Sequence, residues 1–171
     1  MIVKINPQNI VYAKSFQGLC RHPFYGHGHG CPNFNKKQGC PPQAPLVNEA
    51  LDFSRDVYLI FTEFNVGEFA EKTRQSHPGW KSERQWYNPR YWQLRARKFQ
   101  RKEEAVAVKN NNLDIILRKP EANGVNVTKL MADYGVVMSW AWPPKHFLEN
   151  NKFLDNHVYL VSLGGYKLRK K

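Results

Sequence analysis

Cysteine is scarce in this chain and is confined to one stretch. The 171 residues contain three cysteines, Cys20, Cys31 and Cys40, and none follows position 40. An odd number of cysteines cannot all pair, and cytosolic thiols are normally kept reduced. A disulfide framework is therefore not expected.

Long apolar runs, a leader segment and acidic residues are also lacking. No apolar run reaches the ~18 residues of a membrane helix, and residues 1–7 do not resemble a signal peptide. We therefore expect a cytoplasmic protein without a membrane partner. Only 14 acidic residues oppose 26 basic ones, for a formal charge of +12. This excess favours contact with a polyanion such as RNA, although a basic protein with no nucleic-acid role is the alternative.

Familiar catalytic motifs are absent from the sequence. It has no G-x-S-x-G, no phosphate-binding glycine loop and no dinucleotide fingerprint. Asp114, Glu121 and Asp133 are isolated carboxylates, better explained as capping or surface groups than as an acid–base pair. No catalytic residue is assigned, and any chemistry is expected at a metal.

The patterning predicts one α/β or α+β domain over residues 1–171. A hydrophobic content of 42% supports a folded core, and strands alternating with helices indicate a central sheet of about four or five strands with flanking helices. The predicted strands lie within residues 2–13 (best at 9–13), 57–64, 113–117, 136–140 and 157–163. The predicted helices are residues 46–53, 68–75, 82–109 and 127–134, the last capped by Asn126. Ser82 could cap the first turn of the third, and Asn88 with Pro89 supplies a stronger start. A basic tail occupies residues 166–171, of which 167–171 are expected to be frayed.

The three cysteines lie in a loop of residues 20–42, here called the cysteine loop. It also holds His22, His27 and His29, and its glycines and prolines exclude a continuous helix or a central strand. A loop this long is uncommon in a compact domain unless it is functional or disordered. Thiols and imidazoles are soft metal ligands, so we predict a long N-terminal metal-binding loop.

An iron–sulfur cluster is the favoured metal, with Cys20, Cys31 and Cys40 as ligands. Cys31 and Cys40 each precede a proline, as does the last cysteine of a bacterial ferredoxin run. Three thiolates could hold three irons of a [4Fe-4S] cluster and leave the fourth to a histidine, a water or a substrate. A zinc site made of the three cysteines with His22, His27 or His29 is the alternative. A further interpretation is that the three thiols are inert and bind no metal.

Two stretches resemble a family described as predicted metal-binding proteins of bacteria and archaea. Cys20, Tyr25-Gly26 and Cys40-Pro41-Pro42 are similar to the family's early cysteine, Tyr-Gly segment and Cys-Pro-Pro. Residues 120–127 are similar to its Glu-Ala-x-Gly stretch, which opens a helix. The resemblance implies metal binding and no particular reaction. Relatives commonly carry a second cysteine group, but residues 110–119 contain none, so one metal centre is expected here.

The segment of residues 82–109, the predicted basic helix, interleaves arginines with aromatic residues. This pattern suits phosphate contacts combined with base stacking. Trp92 and Phe99 share the apolar stripe and are expected in the core, whereas Trp80, Trp86 and Tyr87 are expected on a surface or in a cleft. The candidate nucleic-acid contacts are Trp80, Arg84, Trp86, Arg90, Arg95, Arg97, Lys98, Arg101 and Lys102.

Three functions agree with these features. The first is an enzyme with an open iron position that performs sulfur or redox chemistry on RNA, such as tRNA. The second is a zinc-stabilised nucleic-acid-binding module without catalysis. The third is an electron-transfer or metal-carrying protein whose positive charge serves an acidic redox partner. The identity of the fourth ligand distinguishes a closed structural site from an open catalytic one.

Overall fold

A four-stranded antiparallel sheet forms the centre of the protein in the computed structural model, which describes residues 1–23, 27–138 and 156–168. The strands are β1 (Ile2–Ile5), β2 (Val57–Asn65), β3 (Ile115–Leu117) and β4 (His157–Gly165). Their order across the sheet is β1-β2-β4-β3. The predicted mixed fold, a central sheet with flanking helices, is confirmed.

Six helices and three short 3-10 turns surround the sheet in the described residues. The helices are α1 (Lys14–Gly18), α2 (Val47–Ala50), α3 (Val66–Ser76), α4 (Glu83–Trp86), α5 (Pro89–Asn111) and α6 (Val127–Ala132). The 3-10 turns are Pro7–Asn9, Leu19–Arg21 and Pro120–Asn123. No helix of this part of the chain is both long and apolar enough to cross a membrane.

The two faces of the sheet pack against different parts of the chain. Alternate residues of a strand point to opposite faces, and Leu59 and Phe61 of β2 belong to a core that also contains Val47 and Val125. Ile60 points the other way and packs with Ala107 of α5. The segments that flank the cysteine loop therefore lie on one face, and the long helix lies on the other.

The first strand lies within the predicted range of residues 2–13 but not in its favoured part. We expected it best at residues 9–13, but it is Ile2–Ile5, which pairs with the first half of β2. The side chain of Asn6 accepts a hydrogen bond from the backbone of Gln8 at 3.0 Å and begins a 3-10 turn. Tyr12 forms an isolated bridge with Val125. Local capping by Asn6 thus competes with strand extension.

The predicted basic helix is divided into α4 and α5. Asn88 accepts a hydrogen bond from the backbone of Arg90 at 3.0 Å, and Pro89 occupies the first helical position. The indole of Trp92 donates to the carbonyl of Tyr87 at 3.2 Å, which fixes the turn between the two helices. A continuous helix over residues 82–109 is therefore wrong, because the cap at Asn88 starts a new helix.

Three further predictions need correction. The helix expected at residues 46–53 is only Val47–Ala50, since Leu51 turns into a bridge with Lys167. Residues 136–138 are not in a strand, and 139–140 lie outside the described residues. The basic tail, expected to be frayed at residues 167–171, begins attached, because Leu168 donates its backbone N–H to the Ala50 carbonyl at 3.4 Å and Lys167 forms a bridge with Leu51. Residues 169–171 of that tail lie outside the described residues.

Gly124 is the glycine on which the packing near the cysteine loop depends most. Its φ is +77°, and a Cβ there would lie 2.8 Å from the carbonyl oxygen of Ala13 and 2.6 Å from Leu46. Gly124→Ala is therefore expected to lower the free energy of unfolding by about 2 kcal/mol or more. Gly79→Ala is the matched control, because nothing lies within 4 Å of its added Cβ. Chemical denaturation measures both, and equal effects would contradict this account of Gly124.

Candidate metal centre

Cys20 and Cys31 are joined through the backbone. Cys20 lies in the 3-10 turn Leu19–Arg21, and the N–H of Cys31 donates to its carbonyl oxygen at 2.7 Å. Gly30 has a φ of +82°, and a Cβ there would lie 2.7 Å from the carbonyl oxygen of Arg21. Only glycine fits this close crossing of two chain segments. The crossing brings two of the predicted ligands together.

Cys40 is the most enclosed of the three cysteines, with 5% of its surface exposed. Its N–H donates to the Lys37 carbonyl at 3.0 Å, and its own carbonyl accepts from the backbone N–H groups of Gln43 and Ala44. The ammonium of Lys119 lies 3.5 Å from its sulfur. A distant part of the chain therefore meets the cysteine loop at Cys40.

The turn Pro120–Asn123, which follows Lys119, is attached to the cysteine loop and its flank by hydrogen bonds. The buried amide of Gln17 donates to the carbonyls of Ala44 and Ala122, both at 2.9 Å. The side-chain amide of Asn123 donates to the carbonyl of Pro45 at 2.8 Å. Because these bonds join three segments, the turn has a fixed position against the loop.

The three thiols are near enough to influence one another electrostatically. Burial, the largest cause, raises the pKa of Cys20, and the charges of Cys31, Cys40 and Glu121 raise it further, while Lys119 opposes them. No disulfide is present, and all three cysteines are free. The structure thus gathers the predicted cysteines in one region, together with Lys119 and Glu121.

The side chains are not arranged as a finished coordination shell. Within residues 1–23, 27–138 and 156–168, no three His, Cys, Asp or Glu side chains come close enough together to hold one metal ion. Their chemistry fits a soft metal because thiolates are ligands of both zinc and iron–sulfur clusters. A metal would therefore have to draw the thiols closer than they lie in this structure.

The predicted fourth ligands differ in position. His22, His27 and His29 are all exposed. His27 and His29 border an open cavity of about 680 Å³ together with Cys20 and Cys31. His22 and Cys40 are not among the residues that line it. The part of the loop at residues 24–26, which includes the Tyr-Gly segment, lies outside the described residues.

Sequence reasoning missed Lys119 and Glu121 as neighbours of the cysteines. Glu121 was interpreted as a capping or surface group, but it is partly buried beside Cys20. Burial raises its pKa, while its own backbone N–H and the charge of Lys119 act in the opposite direction. The Glu-Ala-x-Gly resemblance singled out this stretch, but only the fold places it next to residues a hundred positions earlier.

The raised pKa of Glu121 leads to a pH-dependent effect on stability. A folded-state pKa above the unfolded value stabilises the protein below the unfolded pKa, and this contribution is lost as pH rises through the folded pKa. Glu121→Gln removes the buried charge, so it should raise the melting temperature of the metal-free protein near pH 7. The gain should disappear toward about pH 4, where the carboxyl is protonated in both states. Thermal melts across this range measure it.

Asp114 is exposed and lies outside the cysteine loop. Asp114→Asn, which also removes one carboxylate, is therefore the control for Glu121→Gln. It should give no comparable gain at neutral pH. A loss of stability in Glu121→Gln at neutral pH would show that the charged carboxylate is needed by the fold.

The predicted nucleic-acid contacts lie on the other face of the sheet. Helix α5 carries seven basic and two acidic residues, and one of the acids, Glu104, is buried. The exposed cations among the predicted contacts are Arg84, Arg90, Arg95, Arg97, Lys98, Arg101 and Lys102. None of them forms an ion pair within the described residues. We call this exposed set on α4 and α5 the basic surface.

The aromatic residues near the basic surface were only partly predicted. Trp92 is buried as expected, but Phe99, also expected in the core, is 46% exposed. Trp86 and Tyr87 line an open cavity of about 530 Å³, in agreement with the expected cleft, although Tyr87 is only 7% exposed. Tyr87 packs in the core because it lies at the turn that Trp92 fixes. Trp86 packs against the same core, and its indole nitrogen is buried without a hydrogen-bond partner in the described part of the chain. Trp80 remains partly exposed.

Comparisons with family models, with curated proteins and with solved structures find no match to this chain. The resemblance to the predicted metal-binding family therefore stays a prediction that rests on its motifs.

Proposed function

We propose that this protein is a metal-binding protein whose ligands include Cys20, Cys31 and Cys40. The observation that supports this most is that Cys20 and Cys31 are joined by a backbone hydrogen bond of 2.7 Å and border one cavity, while Cys40 lies near enough to affect the pKa of Cys20. Scattered structural cysteines have no reason to meet in one polar loop. Free thiols also suit a reducing compartment, so we place the protein in the cytoplasm.

A [4Fe-4S] cluster is the metal centre we favour, with zinc as the alternative. A cluster needs thiolates and close backbone approach, and the cysteine loop offers three thiols with Gly30 at a close crossing of the backbone beside Cys31. Binding deprotonates thiols and gathers ligands that lie apart in the free protein, so it is coupled to local folding. The ammonium of Lys119 lies 3.5 Å from the Cys40 sulfur, so it would sit beside the negative charge of a thiolate-bound cluster.

The fourth ligand decides what the centre does. His27 and His29 border the same cavity as Cys20 and Cys31, so either could complete the site and give a closed zinc site or an electron-transfer cluster. A cluster left open on the cavity side would instead offer one iron to a substrate. We favour the open form acting in sulfur or redox chemistry on RNA, and we keep electron transfer to an acidic protein partner as the alternative.

Protection of the thiols from alkylation tests the proposed site directly. The metal-free protein is expected to take up three alkyl groups at mildly alkaline pH, with Cys20 reacting slowly because its pKa is raised. After loading with zinc, or with iron and sulfide, all three cysteines should be protected in the intact-mass spectrum. Three alkyl groups on the loaded protein would remove the proposal.

The basic surface supports a second function, contact with nucleic acid. Its exposed cations lie along α5 without ion-pair partners among the described residues, and such arrays attract phosphates. Binding should weaken steeply with added salt, because each phosphate contact releases counterions. Absence of binding to tRNA at low salt would remove this second function and leave the metal site untouched.

A further inference from the structure

Three aromatic rings form a column at the start of the basic surface. The rings of His77 and Trp80 are stacked with centroids 4.3 Å apart and planes 25° apart. Trp80 and Tyr91 follow at 5.4 Å and 35°. We call these three residues the aromatic column. It joins the loop after α3 to the first turn of α5.

The column is anchored at His77 by hydrogen bonds, and the residues at both of its ends are exposed. The His77 ring nitrogen Nδ1 lies 3.1 Å from the Thr73 carbonyl oxygen and 3.1 Å from the Ser76 hydroxyl. The N–H of Trp80 donates to the His77 carbonyl at 2.9 Å. His77 is exposed, and Tyr91 is 47% exposed. Rings at both ends of the column therefore have faces that another flat ring can cover.

A line of cations continues from the column along α5. Arg95, Lys98 and Lys102 follow Tyr91 at spacings of four, seven and eleven residues, which places all four on one side of a helix. At a rise of 1.5 Å per residue, the line extends about 16 Å from Tyr91 to Lys102. All three cations are exposed. The guanidinium of Arg95 also lies 5.9 Å from the centre of the Phe69 ring, which restrains it.

We propose that the aromatic column and this cationic line together bind a single-stranded nucleic acid. The inference rests on the proposed nucleic-acid contact and adds that the bound nucleic acid is single-stranded. An unpaired base extends the column by stacking on His77 or Tyr91, and the backbone that follows it runs over Arg95, Lys98 and Lys102. In a duplex the bases are already stacked on one another, so a column that ends in open ring faces selects single strands.

Fluorescence anisotropy with short labelled oligonucleotides tests this inference in the full chain. The ligands are single-stranded RNA and DNA of one mixed sequence and the duplex formed from that DNA. We expect the single strands to bind more tightly than the duplex, and Trp80→Leu to weaken single-strand binding about tenfold, the loss typical of one stacked base. Trp80→Phe keeps a ring in the column and should retain most of the affinity, which also controls for misfolding.

The salt dependence of oligonucleotide binding tests the role of the cationic line. The triple variant Arg95→Gln, Lys98→Gln, Lys102→Gln should lower the slope of log affinity against log salt by about 2, since each single-strand phosphate contact contributes about 0.7. Lys14→Gln, Lys37→Gln, Lys167→Gln removes the same charge from exposed positions outside α5 and should change the slope little. Equal slopes for the two triple variants would overturn the assignment of the line.

The remaining outcomes distinguish a failure of this inference from a failure of the proposed nucleic-acid contact. If the wild type binds no oligonucleotide at low salt, both the nucleic-acid contact and the inference are wrong. If it binds duplex as tightly as single strands and Trp80→Leu has no effect, the contact stands as a purely electrostatic one and the column is not a stacking site. Tighter binding of RNA than of DNA would support the inference and add contacts to the 2′-hydroxyl groups.

Discussion

Cys40→Ser is expected to reduce the metal content of the protein to less than about a tenth of the wild-type value. It removes the thiol that is both the most buried of the three and the closest to Lys119. Serine keeps the size of the side chain but supplies a hydroxyl, which is a poor ligand for soft metals. Metal analysis of protein purified in parallel measures the loss.

A lower metal content in Cys40→Ser has a second explanation, namely that the substitution disrupts the fold of the cysteine loop. Its backbone forms three hydrogen bonds that shape the loop, and none of them depends on the side chain. Cys40→Ser should therefore melt close to the metal-free wild type. Gln38→Ala, an exposed change two residues away, should keep the full metal content. If Cys40→Ser loads normally, Cys40 is not a ligand and the three-cysteine site is wrong.

Arg118→Ala is expected to lower the free energy of unfolding by about 2–3 kcal/mol at neutral pH. Its partner Glu104 is 3% exposed on α5 and accepts from the Arg118 Nε at 2.7 Å. The other carboxylate oxygen of Glu104 accepts from the Ser162 hydroxyl at 2.8 Å. Loss of the arginine leaves a buried carboxylate with one partner. The expected effect is below that of a fully buried pair, because the Arg118 side chain is 63% exposed.

A double-mutant cycle separates this ion pair from other effects of the substitution. In a Glu104→Gln background the charge to be neutralised is gone, so Arg118→Ala should cost less than about 1 kcal/mol. Arg74→Ala is the surface control: it breaks an exposed pair with Glu71 at 2.8 Å and should cost about 0.5 kcal/mol or less. If the Arg118 loss is the same in both backgrounds, the pair does not stabilise the protein.

The Arg118–Glu104 pair also connects the two candidate functional regions. Arg118 directly precedes Lys119, the residue that contacts Cys40, and Glu104 lies on the helix that carries the basic surface. Gln100, one turn before Glu104, donates to the Ile60 carbonyl and to the Ser162 hydroxyl, both at 3.0 Å. This buried polar group fixes α5 on the sheet. Weakening it should therefore disturb the turn that packs on the cysteine loop.

The elements that were predicted correctly are those whose apolar pattern or capping residue is visible in the local sequence. The apolar run of β2 and the Asn126 cap of α6 were recognised because strand propensity and an N-cap signal are both local. The favoured part of the first strand was wrong because pairing with β2, a contact across more than fifty residues, selects Ile2–Ile5.

The sequence showed that the three cysteines share one loop, but it did not show which residues surround them. Three cysteines in a glycine-rich loop indicate soft-metal chemistry from composition alone. Their contact with Lys119 and Glu121 depends on the turn after β3, which no spacing rule links to the loop. The aromatic column was missed because His77 has no motif around it, and stacking on Trp80 becomes visible only once the loop after α3 is folded.

The metal content of anaerobically purified protein tests the central claim most directly. Iron, acid-labile sulfide and zinc are measured per chain in the wild type and in a variant with all three cysteines replaced by serine. The account predicts about four irons and four sulfides in the wild type and none in the variant. One zinc per chain would show that the site exists and that it binds zinc, the alternative metal, in place of the cluster. A wild type without metal, or a variant that carries as much as the wild type, would contradict the claim that these three cysteines form a metal centre.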